Sequence, residues 1–228
     1  MIKAVLLDSD DTLLDFTKAE HIALQKTLRE VGIEPEEETI KLYSEINKRH
    51  WEMLERGELT REEVLVQRFD RFFEAMDFEG DSVSTQQLYN TNLGIGHYFV
   101  PGAVEFLQSL YGKYKLYLVT NGNESVQVPR LKSADIGHFF EEIFISQRIG
   151  WDKPNVEFFD KCFASMPHYE KDEMIIIGDS LTSDIKGGLN VGIHTCWFNP
   201  KGKAGRADII PEYTVSSLEE IIPILEQL

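Results

Sequence analysis

The spacing of hydrophobic and polar positions divides the chain into three regions. An apolar run over residues 2–8 predicts a single buried strand. Residues 17–98 carry apolar side chains at helical spacing, and from residue 101 onward short apolar runs alternate with helical segments. Alternating strands and helices are typical of a parallel sheet with right-handed crossovers. The helical region therefore interrupts an α/β pattern directly after its first strand.

Four helices are predicted in the interrupting region. The first ends at Gly32, which fits a helix C-cap, and the third begins at a capping box formed by Thr60 and Glu63. The fourth is the weakest and is predicted over residues 84–98. Helices of this length with short links favour a small bundle. The expected architecture is a Rossmann-like doubly wound parallel sheet as the core, residues 1–15 and 99–228, with an inserted four-helix bundle over residues 16–98.

The later strands direct attention to one edge of the predicted sheet. In parallel sheets ligands bind outside the carboxyl ends of the strands, at a switch in strand order. The later strands are expected at residues 114–119, 140–145, 174–177, 193–198 and, at an edge, 213–215, with helices at 124–135, 155–165, 182–190 and 217–227.

Composition narrows the classes of partner. The net charge of −16 over 228 residues argues against a nucleic acid polymer or an anionic membrane, because both require clustered Lys and Arg. A small phosphorylated metabolite stays compatible, since local positive charge or a metal ion can offset the global field. No apolar run approaches the roughly 20 residues of a membrane span, and the N-terminus lacks a secretory signal pattern. We therefore expect a cytoplasmic protein in which Cys162 and Cys196 are buried thiols.

Reactive side chains follow the predicted strands. Three carboxylates lie within the segment 8–12, directly after the first strand. Burying unpaired carboxylates costs roughly several kcal/mol. This cluster therefore indicates either a metal site or a catalytic use of the repulsion between the carboxylates. Taken singly, the later segments also have simpler interpretations: residues 120–122 fit a turn, Lys153 fits a solvated lysine, and residues 178–180 fit a helix-capping loop. Their joint order after successive strands favours one catalytic centre, formed by residues 8–12, 120–123, 153–154 and 178–184.

In this order, the segments resemble the four motifs of the haloacid dehalogenase-like superfamily of phosphohydrolases. The resemblance covers nearly the whole chain, and the helical insertion is similar to the cap that the family places after strand one. Within the superfamily the chain looks most like the pyrimidine 5'-nucleotidase branch, on segments that include 120–122, Gln127 and Arg130. The residues that match the four motifs are Asp8, Asp10, Thr12, Thr120, Lys153, Gly178, Asp179 and Asp184.

Two positions depart from the family pattern. Position 11 is aspartate, where the family often has glycine. Pro129 lies early in a predicted helix, where it removes one backbone donor. We expect it to shift the start of that helix, and with it the placement of Gln127 and Arg130.

The resemblance implies covalent catalysis by carboxylates. Asp8 would attack phosphorus and form an aspartyl-phosphate, while Asp10 would protonate the leaving oxygen and later deprotonate water. Lys153 would balance the charge of the nucleophile and the phosphoryl group. Thr120 and the Asn121 backbone would bind phosphate oxygens.

The resemblance also implies Mg²⁺, which prefers octahedral coordination by oxygen. Its protein ligands would be the Asp8 carboxylate, the Asp10 backbone carbonyl and Asp179. Asp184 would orient a metal-bound water or the motif lysine. Phe16, next to the first motif, is a candidate for contacting substrate, although a hinge or core role fits the same position.

The predicted function is a magnesium-dependent phosphatase of a small phosphomonoester, with a nucleoside 5'-monophosphate as a candidate substrate. A dehalogenase would need neither the metal nor an acid at Asp10. A sugar phosphomutase on the same core, and a non-catalytic phosphate-binding or regulatory protein, remain as alternatives. The expected assembly is a monomer or a weak dimer.

Overall fold

The computed structural model describes all 228 residues and contains one six-stranded parallel sheet. The sheet confirms the predicted α/β class, and its two edges are the third and sixth strands. The two central strands, Ala4–Leu7 and Met174–Gly178, are short apolar runs, and each has another strand on both sides. The strands are β1 (Ala4–Leu7), β2 (Lys115–Thr120), β3 (Glu142–Ile145), β4 (Met174–Gly178), β5 (His194–Phe198) and β6 (Tyr213–Val215), in the spatial order β3-β2-β1-β4-β5-β6.

Strand order explains where a site can form. The chain builds β2 and β3 on one side of β1 and then crosses to build β4, β5 and β6 on the other. The order therefore reverses between β1 and β4, which are direct neighbours with Leu7 beside Ile177. A crevice opens at such a switch point, outside the carboxyl ends of the two strands. Asp8 and Asp179 directly follow these two ends.

Ten α-helices accompany the sheet. The first four form the region called here the helical insertion; the others flank the sheet. No helix of the chain combines the length and the apolar character that crossing a membrane requires. The helical insertion contains α1 (Phe16–Val31), α2 (Glu37–Glu55), α3 (Arg61–Ala75) and α4 (Ser82–Ile95), and the remaining helices are α5 (Ala103–Leu110), α6 (Glu124–Ala134), α7 (Ser146–Ile149), α8 (Val156–Ser165), α9 (Lys186–Val191) and α10 (Ile221–Gln227).

Two local signals explain the helix ends in the insertion. Gly32 ends α1 with a φ of 88°, the left-handed conformation that glycine adopts without steric cost. Thr60 and Glu63 form the predicted reciprocal capping box of α3. The predicted division into core and insertion, at residues 15/16 and 98/99, remains a prediction.

Apolar side chains form separate clusters in the insertion and on each face of the sheet. Aromatic rings dominate the cluster of the insertion: the Tyr43 ring lies 5.0 Å from Phe69 and 5.6 Å from Phe72, centroid to centroid. Rings in tilted or edge-on contact pack more favourably than their buried area alone implies. The apolar core of the insertion also includes Val126 of α6, so the insertion packs on that helix.

The structure corrects several expectations about the helices. The fourth helix begins and ends earlier than expected, at Ser82 and Ile95. The helix expected over 182–190 is split into a π-helical turn over Leu181–Ile185 and the short α9. Pro129 does not displace α6, which contains it; Gly94 of α4 packs on the proline ring, and a Cβ added there would lie 3.2 Å from Pro129 Cγ.

Candidate active site

Asp8 extends from the end of β1 into the switch-point crevice. Its backbone N–H donates to Ile177 of β4 at 3.0 Å, so the strand pairing fixes its position. The Thr12 hydroxyl donates to Asp8 Oδ2 at 3.3 Å, and the Asp179 N–H donates to the same hydroxyl at 3.1 Å. Thr12 therefore connects the two loops that follow β1 and β4.

The aspartate at position 11 has a structural explanation. Its φ is 56°, the left-handed conformation that glycine favours and that aspartate tolerates better than most residues. Its carboxylate accepts from the backbone N–H and the hydroxyl of Thr17 at the start of α1. Asp11 thus supplies the turn geometry of a glycine and also binds the helical insertion.

Lys153 is the central cation of the site. Its ammonium donates to Asp8 Oδ1 at 2.8 Å, to Asp184 Oδ1 at 2.6 Å and to the Val119 carbonyl at 2.8 Å. Burial alone disfavours the charged ammonium, but the Asp184 and Asp8 carboxylates outweigh it and raise the pKa of Lys153. All three ammonium protons have acceptors, which fixes the orientation of the nucleophile candidate Asp8.

Two carboxylates share this one lysine, which leaves the cluster with excess negative charge. Burial, followed by repulsion from Asp184, raises the pKa of Asp8 well above its usual range. Burial also raises the pKa of Asp179 to about 6, although the Lys203 ammonium 2.7 Å away opposes the shift. A buried group of carboxylates with this charge balance is the environment that a divalent cation stabilises.

Asp184 is oriented by the loop that follows β4. Its Oδ2 accepts from the Ser180 N–H at 3.1 Å, and its Oδ1 is occupied by Lys153. A Cβ on Gly178 would lie 2.2 Å from Asp184 Oδ2, so only glycine leaves room for this carboxylate. Both oxygens of Asp184 are thus engaged within the protein.

The oxygen atoms suit a magnesium ion. Carboxylate oxygens of Asp8, Asp179 and Asp184 lie within 4.8 Å of one another. Lys153 and the Ser180 N–H engage Asp8 Oδ1 and both Asp184 oxygens, and Lys203 engages Asp179 Oδ2, whereas Asp8 Oδ2 accepts only the 3.3 Å bond from Thr12 and Asp179 Oδ1 accepts no bond from the protein. An all-oxygen donor set is the one that Mg²⁺ prefers. The residues present therefore fit the predicted ion.

The Asp10 carboxylate is positioned by α6. Gln127 donates to its Oδ2 at 2.6 Å, and the fully buried Arg130 donates to its Oδ1. The Arg130 Nε also donates to the Gly96 carbonyl, and its guanidinium lies 5.6 Å from the centroid of the Phe16 ring. Arg130 therefore contacts Asp10 and both segments that join the insertion to the sheet.

A cavity of about 210 Å³ connects these groups to the helical insertion. Thr120 accepts hydrogen bonds from Gln127 at 2.9 Å and from the Gly122 N–H at 3.2 Å, which leaves its own proton free to donate. The Asn121 side chain is bonded to the backbone of Lys153 in both directions, so the substrate would meet its backbone. Every predicted site residue except Phe16 lies outside the helical insertion; the cavity is lined by Asp8, Asp10, Phe16, Thr120, Asn121, Lys153, Asp179 and Asp184, among others.

Arg61 connects the helical insertion to four residues outside it, of which Asn121 and Asn123 line this cavity. It is the first residue of α3, and it donates to the Asn121 carbonyl at 2.9 Å, to Asn123 Oδ1 at 3.1 Å and to Ser146 Oγ at 2.6 Å. It also forms an ion pair with Asp152. Sequence reasoning assigned no role to Arg61, because nothing in the segment distinguishes a bridging arginine from an exposed helix residue.

Gln127 and Arg130 were also assigned no catalytic role from the sequence. A spacing of three residues on one helix, directly after the strand that ends in Thr120, places both on the same helix face. That spacing is the signal that would have placed them beside the site.

Comparison with known proteins identifies the family. The family described as haloacid dehalogenase-like hydrolase matches residues 5–198. The chain belongs to the haloacid dehalogenase-like hydrolases. The family confirms the resemblance found in the motifs. An L-2-haloacid dehalogenase from Xanthobacter autotrophicus shares the fold with a TM-score of 0.80 at 14% identity, each chain covered fully at 100%.

More similar relatives are named as hydrolases and nucleotidases. HAD-hydrolase YfnB of Bacillus subtilis is 38% identical over 98% of this chain and 95% of its own. Pyrimidine 5'-nucleotidase PynA of Streptococcus pneumoniae is 34% identical over 99% of this chain and 95% of its own. A crystal structure of YfnB bound to magnesium superposes with a TM-score of 0.94 at 38% identity, covers 98% of both chains, and was described as revealing interdomain movement.

Proposed function

We propose that this haloacid dehalogenase-like hydrolase is a magnesium-dependent phosphatase of pyrimidine nucleoside 5'-monophosphates. The observation that carries the proposal is the placement of two carboxylates beside one cavity. Asp8 is fixed by Lys153, and Asp10 is fixed separately by Gln127 and Arg130. Two carboxylates with different partners can act as nucleophile and as acid–base. The nucleotidase relative PynA supports the substrate class.

The reaction would proceed in two displacements. An Asp8 oxygen attacks phosphorus while the bond to the leaving oxygen breaks, and Asp10 gives its proton to that oxygen. Asp10 then takes a proton from water, whose oxygen attacks phosphorus and breaks the bond to Asp8. Inorganic phosphate leaves, and both carboxylates return to their starting protonation states. Thr120 and the backbone of Asn121 donate to the phosphate oxygens.

Asp8, the Asp10 carbonyl and Asp179 would hold the magnesium ion, with Asp184 orienting its surroundings. When bound, the ion would offset the charge of the carboxylates and of the phosphate group. Asp179→Asn should therefore weaken magnesium binding, measured by calorimetry, by about 10- to 100-fold. The exposed Asp160→Asn on α8 is the matched control and should bind magnesium as the parent protein does.

The helical insertion would act as a cap that excludes water from the leaving group. Arg61 and its four partners on the sheet support a closed arrangement of this cap. Phe16 lines the cavity and would contact the nucleoside.

The experiment that tests the function is phosphate release from p-nitrophenyl phosphate, uridine 5'-monophosphate and ribose 5-phosphate, with and without magnesium. Asp8→Asn is expected to lower kcat by about 10⁴-fold or more while leaving circular dichroism unchanged. Full activity of this variant would contradict the nucleophile assignment. A sugar phosphomutase would transfer the phosphoryl group to a second hydroxyl, and a regulatory protein would show no steady release.

A further inference from the structure

The helical insertion contains a chain of buried polar side chains that ends at the cavity. Arg68 of α3 donates to Asn47 Oδ1 at 2.7 Å and to Gln86 Oε1 at 2.6 Å. Gln86 Nε2 donates in turn to Asn90 Oδ1 at 2.7 Å. Glu20, at the other end, accepts from Asn47 Nδ2 at 2.6 Å. The helices α1 to α4 each contribute at least one member of this chain.

The arginine determines the orientation of every amide in the chain. A guanidinium can only donate, so the Gln86 atom that faces Arg68 must be the oxygen. The Gln86 nitrogen then points to Asn90, and the Asn90 atom that faces it must be the acceptor oxygen. The Asn90 NH₂ group is therefore the part of the amide left to bind something else.

That NH₂ group belongs to a residue of the substrate cavity. Asn90 is half-buried and lines the cavity together with Arg68, as do the apolar side chains of Phe16, Leu93 and Val126. Apolar walls with a few fixed polar groups are the usual composition of a site that binds a planar ring. Gln86 is buried and is not part of the cavity wall.

We propose that Asn90 selects the substrate by donating a hydrogen bond to a carbonyl oxygen of the pyrimidine base, with Gln86 and Arg68 as positioning residues that hold its donor toward the cavity. This proposal rests on the proposed function, and it names the side chain that would recognise the base of the nucleotide. Asn90 contacts the base rather than the phosphate, so its loss affects nucleotides and spares esters without a base.

The decisive variant is Gln86→Glu, which changes no residue of the cavity wall. A carboxylate at this position accepts from both Arg68 and Asn90, so the Asn90 amide turns over and presents its oxygen to the base. The expected result is a fall of about 10- to 100-fold in kcat/KM for uridine 5'-monophosphate, with ribose 5-phosphate changed by less than about twofold. Asn90→Asp and Asn90→Leu should show the same pattern.

Gln87→Glu is the matched control, because it places the same charge on the exposed face of α4. It should leave both substrates unchanged. Cytidine 5'-monophosphate identifies the oxygen: a parallel loss assigns the carbonyl that both bases share, and a smaller loss or a gain assigns the one specific to uracil. Both results support donation by Asn90.

Two results would overturn the inference: equal losses for uridine 5'-monophosphate and ribose 5-phosphate, and no loss in any Asn90 or Gln86 variant. Failure of the proposed function has a different signature, which the parent enzyme alone shows: it would release no phosphate from any ester, or would not prefer the nucleotide over the sugar phosphate.

Discussion

The sheet and the helical insertion both bury polar groups, but they connect them differently. In the sheet, Lys153 neutralises Asp8 and Asp184, and each carboxylate belongs to the segment that follows a strand. In the insertion, Arg68 contacts neutral amides, and the chain continues through Gln86 to Asn90. The first arrangement controls charge, whereas the second controls the direction of a hydrogen bond. The two proposals made above therefore place catalysis and recognition of the base in different parts of the molecule.

The largest effect on both catalysis and stability is expected when Lys153 is removed. Lys153→Met leaves Asp8 and Asp184 buried without their cation, which should lower kcat by about 10²- to 10³-fold. Breaking a buried ion pair also lowers the free energy of unfolding by about 3–5 kcal/mol. Chemical denaturation in the absence of magnesium measures this loss.

The matched control is Lys161→Met, an exposed lysine on α8, which should change neither quantity. The double variant Lys153→Met with Asp184→Asn should recover part of the lost stability, because it removes one of the stranded carboxylates. A double variant as unstable as the single one would contradict the assignment.

The second test concerns the boundary between the two regions, where Arg130 contacts Asp10 and the linker carbonyl of Gly96. Arg130→Met should misplace the acid that protonates the leaving oxygen. Hydrolysis of ribose 5-phosphate should fall by about 10²-fold, and hydrolysis of p-nitrophenyl phosphate, whose leaving group needs no proton, by less than about fivefold. Lys132→Met on the exposed face of α6 is the control. Equal losses for both esters would show that Arg130 only supports the fold.

A third test separates binding by the insertion from chemistry in the sheet. Arg61→Met removes the bonds to Asn121, Asn123, Ser146 and Asp152, so the closed arrangement becomes less stable. We expect KM for uridine 5'-monophosphate to rise by about tenfold, with a smaller change in kcat. Arg71→Met, on the exposed face of the same helix, should leave KM unchanged. An unchanged KM in both variants would exclude a role for Arg61 in closure.

The smallest expected effect is a pH dependence of stability from Glu55, at the end of α2. Burial raises its pKa from 4.5 to about 7. The folded state therefore holds the proton more tightly than the unfolded state, and the free energy of unfolding falls as pH rises from 4.5 to about 7. Glu55→Gln should remove the part of this fall that Glu55 contributes, about 1–2 kcal/mol, and leave the parts that the buried Asp8 and Asp179 contribute. Thermal unfolding of the parent and of the variant between pH 5 and pH 8 measures the difference, with the exposed Glu45→Gln as the control; the same pH dependence in the parent and in Glu55→Gln would contradict the prediction.

The same contrast explains what the sequence could predict. The sheet residues Asp8, Thr120 and Asp179 were found because a strand is a local pattern and its carboxyl end is known once the pattern is read. The contacts of Arg68 with Asn47 and Gln86 were not predicted, because these partners lie on other helices and helical spacing alone does not say which faces meet. Pro129 was expected to shift the start of α6, but α6 begins at Glu124 and contains the proline, whose ring packs on Gly94 of α4 in a tertiary contact that no local rule contains.

One further feature is the closeness of the two segments that join the helical insertion to the sheet. The Asp15 N–H donates to the Tyr98 carbonyl at 2.7 Å, and Leu14 pairs with Phe99 in an isolated β-bridge. The polypeptide thus leaves and re-enters the sheet at nearly the same point. Residues 16–98 could consequently be exchanged for the corresponding segment of a relative without altering the strand order. Such a chimera would keep Asp8 and Asp10 and should accept different substrates, provided that the new segment supplies an arginine in place of Arg61 and the Phe16 and Gly96 contacts of Arg130.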